Sequence, residues 1–388
     1  MSSATVPLER VETTGLAGLP DVGVELGRVT ALIGARGSGK SQLLSAIAWL
    51  LTGQPDPGAR EPGRSVRVTG HVTGTDGRKR RRVVARSRRE DGATSLQPRG
   101  ADLPMCSFLR ATDRLVPRPP AEGGRVASRM VELLPEKTTD AAAAEALVNA
   151  VEGCCRDGVG GEVLLVEEPE LVLTPQAQRY LYAMLRRFAD GGNQVIYSTW
   201  SPAFVDAAHH EEIVRLDLHG GGVEVRRTEP GTLSDAERIR IQAEFDHERS
   251  EMFFADKVVL VEGQTERLSL PFVFTAMGHD VDAEGISIVE MGGKGNLPLA
   301  ARLLVQLHIP FVVVFDADHG SASAELDATI RRHAAGAPTI RLVPDFEGAA
   351  GIPSHEDKVL HAWRRFANAR PEAIPRPLAE IVQRTVAL

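Results

Sequence analysis

Two rhythms of apolar and polar positions follow one another along the chain. Up to about residue 231, short apolar runs are mixed with stretches of strict alternation. Val22, Val24 and Leu26 alternate, V-T-A-L-I (29–33) follows as a strand, and Q-L-L-S-A-I-A-W-L-L (42–51) reads as an amphipathic helix. Residues 65–90 alternate again and turn at Asp76–Gly77, a hairpin signal. A loop rich in Gly and Pro spans 91–125, and helical periodicity returns over 126–155. A strand (163–166), a helix (175–190) and a strand (194–198) come next, then an edge hairpin over 211–229 and a charged helical connector over 232–254. From 255 onward the rhythm becomes regular. Strands at 258–261, 286–290, 311–315 and 339–343 alternate with helices at 265–277, 297–307, 323–334 and from about 356. Such alternation predicts a small doubly wound domain around a parallel sheet.

Chemistry collects where these strands stop. The strand at 29–33 runs into G-A-R-G-S-G-K-S, Gly34 to Ser41, and then a helix, which is the context of a P-loop. Gly34, Gly37, Ser38 and Gly39 supply backbone N–H groups that wrap phosphates, and the helix N-terminus adds positive potential. Lys40 would reach the β- and γ-phosphates of ATP, and the hydroxyl of Ser41 would hold Mg²⁺. V-L-L-V-E-E-P-E (163–170) ends in carboxylates: Glu167 suits Mg²⁺ through water, Glu168 suits polarising the attacking water. In the second part, K-V-V-L-V-E-G-Q-T-E (257–266) and F-V-V-V-F-D-A-D (311–318) both end in paired acids. Ligands of parallel sheets gather beyond the carboxyl ends of the strands. Glu262, Glu266, Asp316 and Asp318 therefore read as one site for Mg²⁺ or Mn²⁺, hard cations that take oxygen ligands.

Composition narrows the picture. A chain of 388 residues suits two or three domains, and no apolar run reaches the length of a membrane span. The first ten residues carry no apolar signal core, so the expected compartment is the cytoplasm, and three cysteines, two of them adjacent, suit a reducing one. The net charge of −7 hides a basic segment, R-K-R-R-R-V-V-A-R-S-R-R (78–89), which is either a solvated strand face or a contact for DNA phosphates. The chain has only six lysines among its 45 basic residues, so Lys40, Lys294 and Lys358, all inside motifs, stand out. His209, His210, His247, His279, His319 and His355 show no zinc spacing and read mostly as surface residues; Trp49, Met291 and Trp363 read as core.

Taken together, these motifs resemble a known pairing. The N-terminal part resembles an ABC/SMC-like ATPase head, and V-L-L-V-E-E-P-E-L-V-L-T-P with Q-V-I-Y-S-T-W-S-P resembles the version in the OLD (overcoming lysogenization defect) family. E-G-Q-T-E, D-A-D and D-F-E (345–347) resemble a Toprim domain. The resemblance implies an α/β fold: an ABC-type P-loop NTPase domain (1–231) with a small helical dimerisation insert within 126–155, the connector (232–254), and a Toprim domain with a Rossmann-like parallel sheet (255–388). It further implies a homodimeric, ATP-linked, metal-dependent DNA endonuclease acting in phage defence or DNA repair, with a partner protein possible in a defence system. Under it, Glu262, Asp316 and Asp318 are core metal ligands and Glu266 and Glu347 complete a second metal position. Lys358 stabilises the charged transition state, with Lys294 as the alternative. A topoisomerase or primase is disfavoured, because all three tyrosines lie between Tyr180 and Tyr197 in the ATPase part.

The chain also departs from that class. Arg36 stands where asparagine is usual, Trp200 where the switch histidine is expected, and no L-S-G-G-Q-like signature precedes Val163. These departures point to a head that binds ATP as a slow switch. They also keep open a non-enzymatic reading, an ATP-switched DNA-binding or sensor protein with a vestigial nuclease site.

Overall fold

The computed structural model describes residues 6–19, 21–54, 64–73, 81–110, 128–130, 147–154, 160–220, 222–245, 247–317, 321–353 and 357–388. The chain divides into two compact units, one of residues 1–205 and 211–227, the other of residues 206–210 and 228–388.

The first unit holds two sheets. Strands β1 (Leu8–Thr14), β2 (Val22–Glu25), β4 (Val66–Thr73), β5 (Arg81–Arg88) and β6 (Thr94–Gln97) form an antiparallel sheet in the order β2-β1-β4-β5-β6. The second sheet adds β3 (Val29–Ile33), β7 (Cys106–Arg110), β8 (Ser128–Met130), β9 (Val163–Glu167), β10 (Gln194–Ser198), β11 (Ile213–His219) and β12 (Gly222–Arg227), in the order β12-β11-β3-β10-β9-β7-β8. Its pairings are parallel except at the β11–β12 edge hairpin. Its central strands are apolar on both faces, as a strand covered from both sides requires: every residue of β3 and of β10 is buried.

Helix α1 (Lys40–Thr52) lies between the two sheets and packs on strands of both. It is buried from Leu43 through Leu51 without interruption, so it is a helix apolar all round and not the amphipathic one its sequence suggests. It stops at Gly53, whose left-handed φ of 83° lets its N–H return to Trp49 O at 2.8 Å. Helix α3 (Pro175–Asp190) has the opposite character, with Thr174 capping its start and one face, Leu181, Leu185 and Phe188 among it, buried.

Two expectations fail in this unit. The stretch 91–125 is not one loop, since β6 and β7 lie in it, and β7 pairs along its whole length with β9. Cys106–Leu109 are all buried; the short stretch M-C-S-F-L after Pro104, broken by Ser107, does not stand out from its Gly/Pro surroundings. Nor is 126–155 all helix: β8 is a strand, and the described part of helix α2 covers 147–154. The remainder of that insert and the Asp76–Gly77 turn lie outside the described residues.

The second unit is a four-stranded parallel sheet in the order β14-β13-β15-β16, from β13 (Lys257–Val261), β14 (Ile286–Glu290), β15 (Phe311–Asp316) and β16 (Thr339–Leu342). Val259, Val261, Val312 and Val314 pack on helices α5 (Gln264–Ala276) and α10 (Arg376–Val386), and helix α6 (Leu297–Gln306) also packs on β13 and β15. Helix α4 (Asp235–Glu244) opens with a capping box between Ser234 and Glu237, and Glu237 also reaches Arg302 of α6 at 2.5 Å. Helix α7 (Ser321–Ala334) precedes β16; α8 (Phe346–Ala350) and α9 (Lys358–Phe366) follow it. Met291 and Trp49 are buried as expected, but Trp363 on α9 is 48% exposed, a correction to its reading as core. No helix among the described residues is long and apolar enough to cross a membrane.

Candidate functional site

In the first unit, the glycine loop joins β3 to α1 in the form a phosphate cradle requires. Gly34 (φ 129°) has no room for a side chain, because a Cβ would stand 2.1 Å from Leu216 O. Gly37 (φ 82°) needs the left-handed region for the turn itself. Ser38 Oγ is buried with no hydrogen-bond partner, an orphan hydroxyl in the loop. Lys40 is buried, and its Nζ donates to Gly34 O at 2.7 Å and Ala35 O at 3.1 Å. Burial pulls the Lys40 ammonium down to about 8, against the pull of Glu168 and Glu170.

One residue closes over this loop. The Trp200 ring lies with its centroid 3.8 Å from Lys40 Nζ, and its indole Nε1–H donates to Glu168 Oε1 at 3.0 Å. Trp200 N–H donates to Glu170 Oε1 at 2.6 Å, and Thr199 Oγ1 to Glu170 Oε2 at 3.0 Å. Burial raises the Glu170 carboxyl above its ordinary range. Glu168 itself takes a left-handed φ of 44°, strained for a non-glycine residue, which turns the chain sharply at the end of β9. Glu167 pairs with Arg110 Nε at 2.9 Å, and Arg110 Nη2 donates to Ser45 Oγ at 2.9 Å. Arg110 and Glu170 were not singled out in the sequence. Glu170 could have been, as the third acid of E-E-P-E; Arg110 carries no such signal, since its role arises from β7 lying beside β9.

In the second unit, the strand order places the change of winding direction between β13 and β15, where an open α/β sheet forms its crevice. Glu262 follows β13 directly, Asp316 is the last residue of β15, Glu266 lies in the first turn of α5 and Glu347 in that of α8. Glu262 Oε1 accepts the Asp316 backbone N–H at 2.7 Å, binding the two strand ends together. Asp316 Oδ1 is buried without a hydrogen-bond partner. Burial, followed by the charges of Glu266, Glu262, Glu347 and Asp345, pushes the Asp316 carboxyl up to about 8. Burial and the charges of Glu262 and Glu347 push Glu266 up to about 7, with Lys358 opposing. Lys358 Nζ stands 2.6 Å from Glu347 Oε1, a contact that raises its own pKa. Lys294 donates at 2.6 Å to the Asp316 carbonyl. Asp318 lies outside the described residues, as do His319 and His355.

These acids feel one another's charge but do not enclose a point: among the described residues, no three His, Cys, Asp or Glu side chains are gathered tightly enough to hold a metal ion. The reason is visible in their partners, since Glu262 is turned to a backbone N–H and Glu347 to Lys358. The donor set nevertheless fits a hard cation. Magnesium needs only one or two carboxylates besides water and phosphate oxygens, and the orphaned Oδ1 of Asp316, a carboxyl raised by burial and then by the charges of Glu266, Glu262 and Glu347, is a group such an ion would satisfy.

The family model for the overcoming lysogenization defect protein-like Toprim domain matches residues 253–318. The OLD nuclease of Thermus scotoductus is 38% identical over 175 residues, 44% of this chain and 33% of that protein. The Old nuclease of Escherichia phage P2 is 27% identical over 161 residues, 40% of this chain and 28% of the relative. The match thus spans about a third or less of these curated relatives. Among solved structures, the C-terminal region of the Burkholderia pseudomallei OLD protein is 16% identical with a TM-score of 0.28, covering 34% of this chain and 98% of that one. The segment this family model matches, residues 253–318, is the one that carries Glu262, Glu266 and Asp316.

Proposed function

We propose that the chain is an ATP-binding, divalent-metal-dependent DNA endonuclease, cutting phosphodiesters in its Toprim domain (255–388) under the control of an ATPase head (1–231) through the connector (232–254). The observation that carries the reading is the half-buried Asp316 carboxyl with its buried, unpartnered Oδ1, which feels the charges of Glu262, Glu266 and Glu347 at the crevice of the sheet. A bound Mg²⁺ or Mn²⁺ would neutralise charge on the attacking and leaving oxygens of an in-line displacement. Asp316 and Glu262, with Asp318, would hold it, and Glu266 and Glu347 would serve a second position. Asp316 must lose its proton to do so, which its pKa of about 8 makes a metal-coupled event. Lys358 shields the charge of Glu347 and stands ready for a phosphate oxygen. In the head, Gly34, Gly37, Ser38 and Gly39 would cradle ATP phosphates, Lys40 would bind them, and Ser41 and Glu167 would serve its Mg²⁺. Glu168 would orient water. The substrate is DNA, the assembly a homodimer, and the setting phage defence or DNA repair.

Incubation of the protein with supercoiled plasmid, Mg²⁺ or Mn²⁺, and ATP or none tests this. Metal-dependent nicking is expected, reduced about 100-fold or more in Asp316→Ala, while Lys40→Ala abolishes ATP binding and leaves nicking intact. DNA binding without cleavage under either metal would instead support the ATP-switched DNA-binding reading, which the capping of Lys40 by Trp200 favours.

A further inference from the structure

Lys294 has an unusual position for a lysine. Its side chain is 6% exposed, and its ammonium is shared between Asp316 O (2.6 Å), Asp327 Oδ1 (2.8 Å) and Ser323 Oγ (3.3 Å), above the Phe315 ring. Asp327 is equally buried and takes Arg341 Nε on its other oxygen at 2.9 Å. Burial alone would raise the Asp327 carboxyl, but Lys294 and Arg341 hold it below its ordinary value, so the pair is ionised. A buried ion pair of this kind adds little net stability over apolar residues of the same size. Its presence calls for another reason.

The loop that carries Lys294 supplies one. Gly292 (φ 69°) and Gly293 (φ 128°) turn the chain back after β14, Gly293 N–H donates to Glu262 O at 2.9 Å, and Asn296 Nδ2 closes the loop on Met291 O at 2.7 Å. This loop therefore touches both acid-bearing strand ends: Glu262 through a backbone N–H, Asp316 through the Lys294 ammonium. At Asp316 the consequence is specific. Its N–H is held by the Glu262 carboxylate and its C=O by Lys294, so both peptide groups flanking the side chain are fixed. The carboxylate is then left with its direction set and one oxygen unsatisfied.

We infer that Lys294, with Asp327 as its counter-ion, is a positioning residue that aims the Asp316 carboxylate for metal binding. It acts through the backbone at the end of β15 and touches neither metal nor substrate. The inference rests on the metal-site reading above. Groups that orient a metal's ligands are worth about 10–100-fold in affinity.

The test is Mn²⁺ binding by the full chain, followed by calorimetry and by the electron paramagnetic resonance of free Mn²⁺, alongside thermal melting without metal. Lys294→Met should lower Mn²⁺ affinity about 10–100-fold and also lower the melting temperature, since Asp327 keeps only Arg341. The double variant Lys294→Met/Asp327→Leu removes both charges and should recover most of the melting temperature. It should not recover Mn²⁺ affinity, because Asp316 O still lacks its donor. The double variant also carries the test should Lys294→Met alone fail to fold. Recovery of affinity together with stability would overturn the positioning role, leaving a structural ion pair. Full affinity in Lys294→Met would overturn it as well. If wild type binds no Mn²⁺ that Asp316→Ala loses, the metal-site reading falls and this inference with it.

Discussion

Trp200 sets one indole between two opposite charges, Lys40 and Glu168. Its face covers Lys40 Nζ and its N–H holds Glu168, so in this state the lysine is occupied by ring and loop carbonyls together. With Trp200 40% exposed and the ammonium buried, the cation–π contact is worth about 0.5–2 kcal/mol, which phosphates must replace when they take the ammonium. ATP is therefore expected to change Trp200 fluorescence, and Trp200→Ala should bind ATP up to about 10-fold more tightly, measured by titration with a fluorescent nucleotide. Weaker binding in Trp200→Ala would mean that the ring belongs to the nucleotide surface and does not compete with it. At this scale, the sequence showed residues whose role lies in a contiguous pattern: the P-loop lysine, the strand-end acids and the odd tryptophan. It did not show Arg110, Glu170 or Asp327. Their meaning comes from partners that folding brings to them from other elements, Glu167, Thr199 and Lys294 respectively.

Among elements, one buried side chain ties the two sheets of the first unit together beside the packing of α1. Gln194 opens β10 fully buried; its carbonyl accepts Leu8 N–H at 2.9 Å, and its amide donates to Leu8 O at 2.7 Å and Gly27 O at 2.8 Å. The antiparallel sheet is thereby pinned at β1 to the parallel one. Gln194→Leu keeps the volume but strands a buried N–H and two carbonyls, and should cost about 2–4 kcal/mol in urea unfolding. A loss under about 0.5 kcal/mol would show that water or a shifted strand takes over those bonds. The α/β rhythm of the second unit was legible because each strand is a clean apolar run between helices, and β13 to β16 fall where that pattern places them. In the first unit no such rhythm holds, and β7 and α1 take their character from what covers them. A helix covered by sheets on both sides has no polar face to reveal its orientation.

For the molecule as a whole, the acid cluster makes stability depend on pH and metal together. Asp316 and Glu266 rise from ordinary values of 3.8 and 4.5 to about 8 and about 7 in the folded protein. The folded state then holds more protons than the unfolded one between about pH 4 and pH 8, so metal-free stability falls as pH rises through that window and levels above it. Melting in a chelator should decline from pH 5 to pH 8, and Asp316→Asn should flatten the upper part of the decline. It should also melt about 2–4 °C higher at pH 8. Added Mn²⁺ should raise the melting temperature more at pH 8 than at pH 6, since at lower pH it must displace protons. A metal-free melting curve that rises over this range would show that the acids are not mutually strained.

The path of the backbone between the two units also governs how the protein can be taken apart. Residues 206–210 belong with the second unit, whereas 211–227 return to the first, so the chain crosses three times. No single scission separates the halves, and a gene fragment opening at Thr228 forfeits a strap that its own unit uses. His210 Nδ1 lies 2.6 Å from Thr228 Oγ1, and Arg238 donates to Ala208 O at 3.2 Å. The glycine loop and the acid crevice are thus sewn into one gene product, to be silenced one at a time by point substitution and not by truncation.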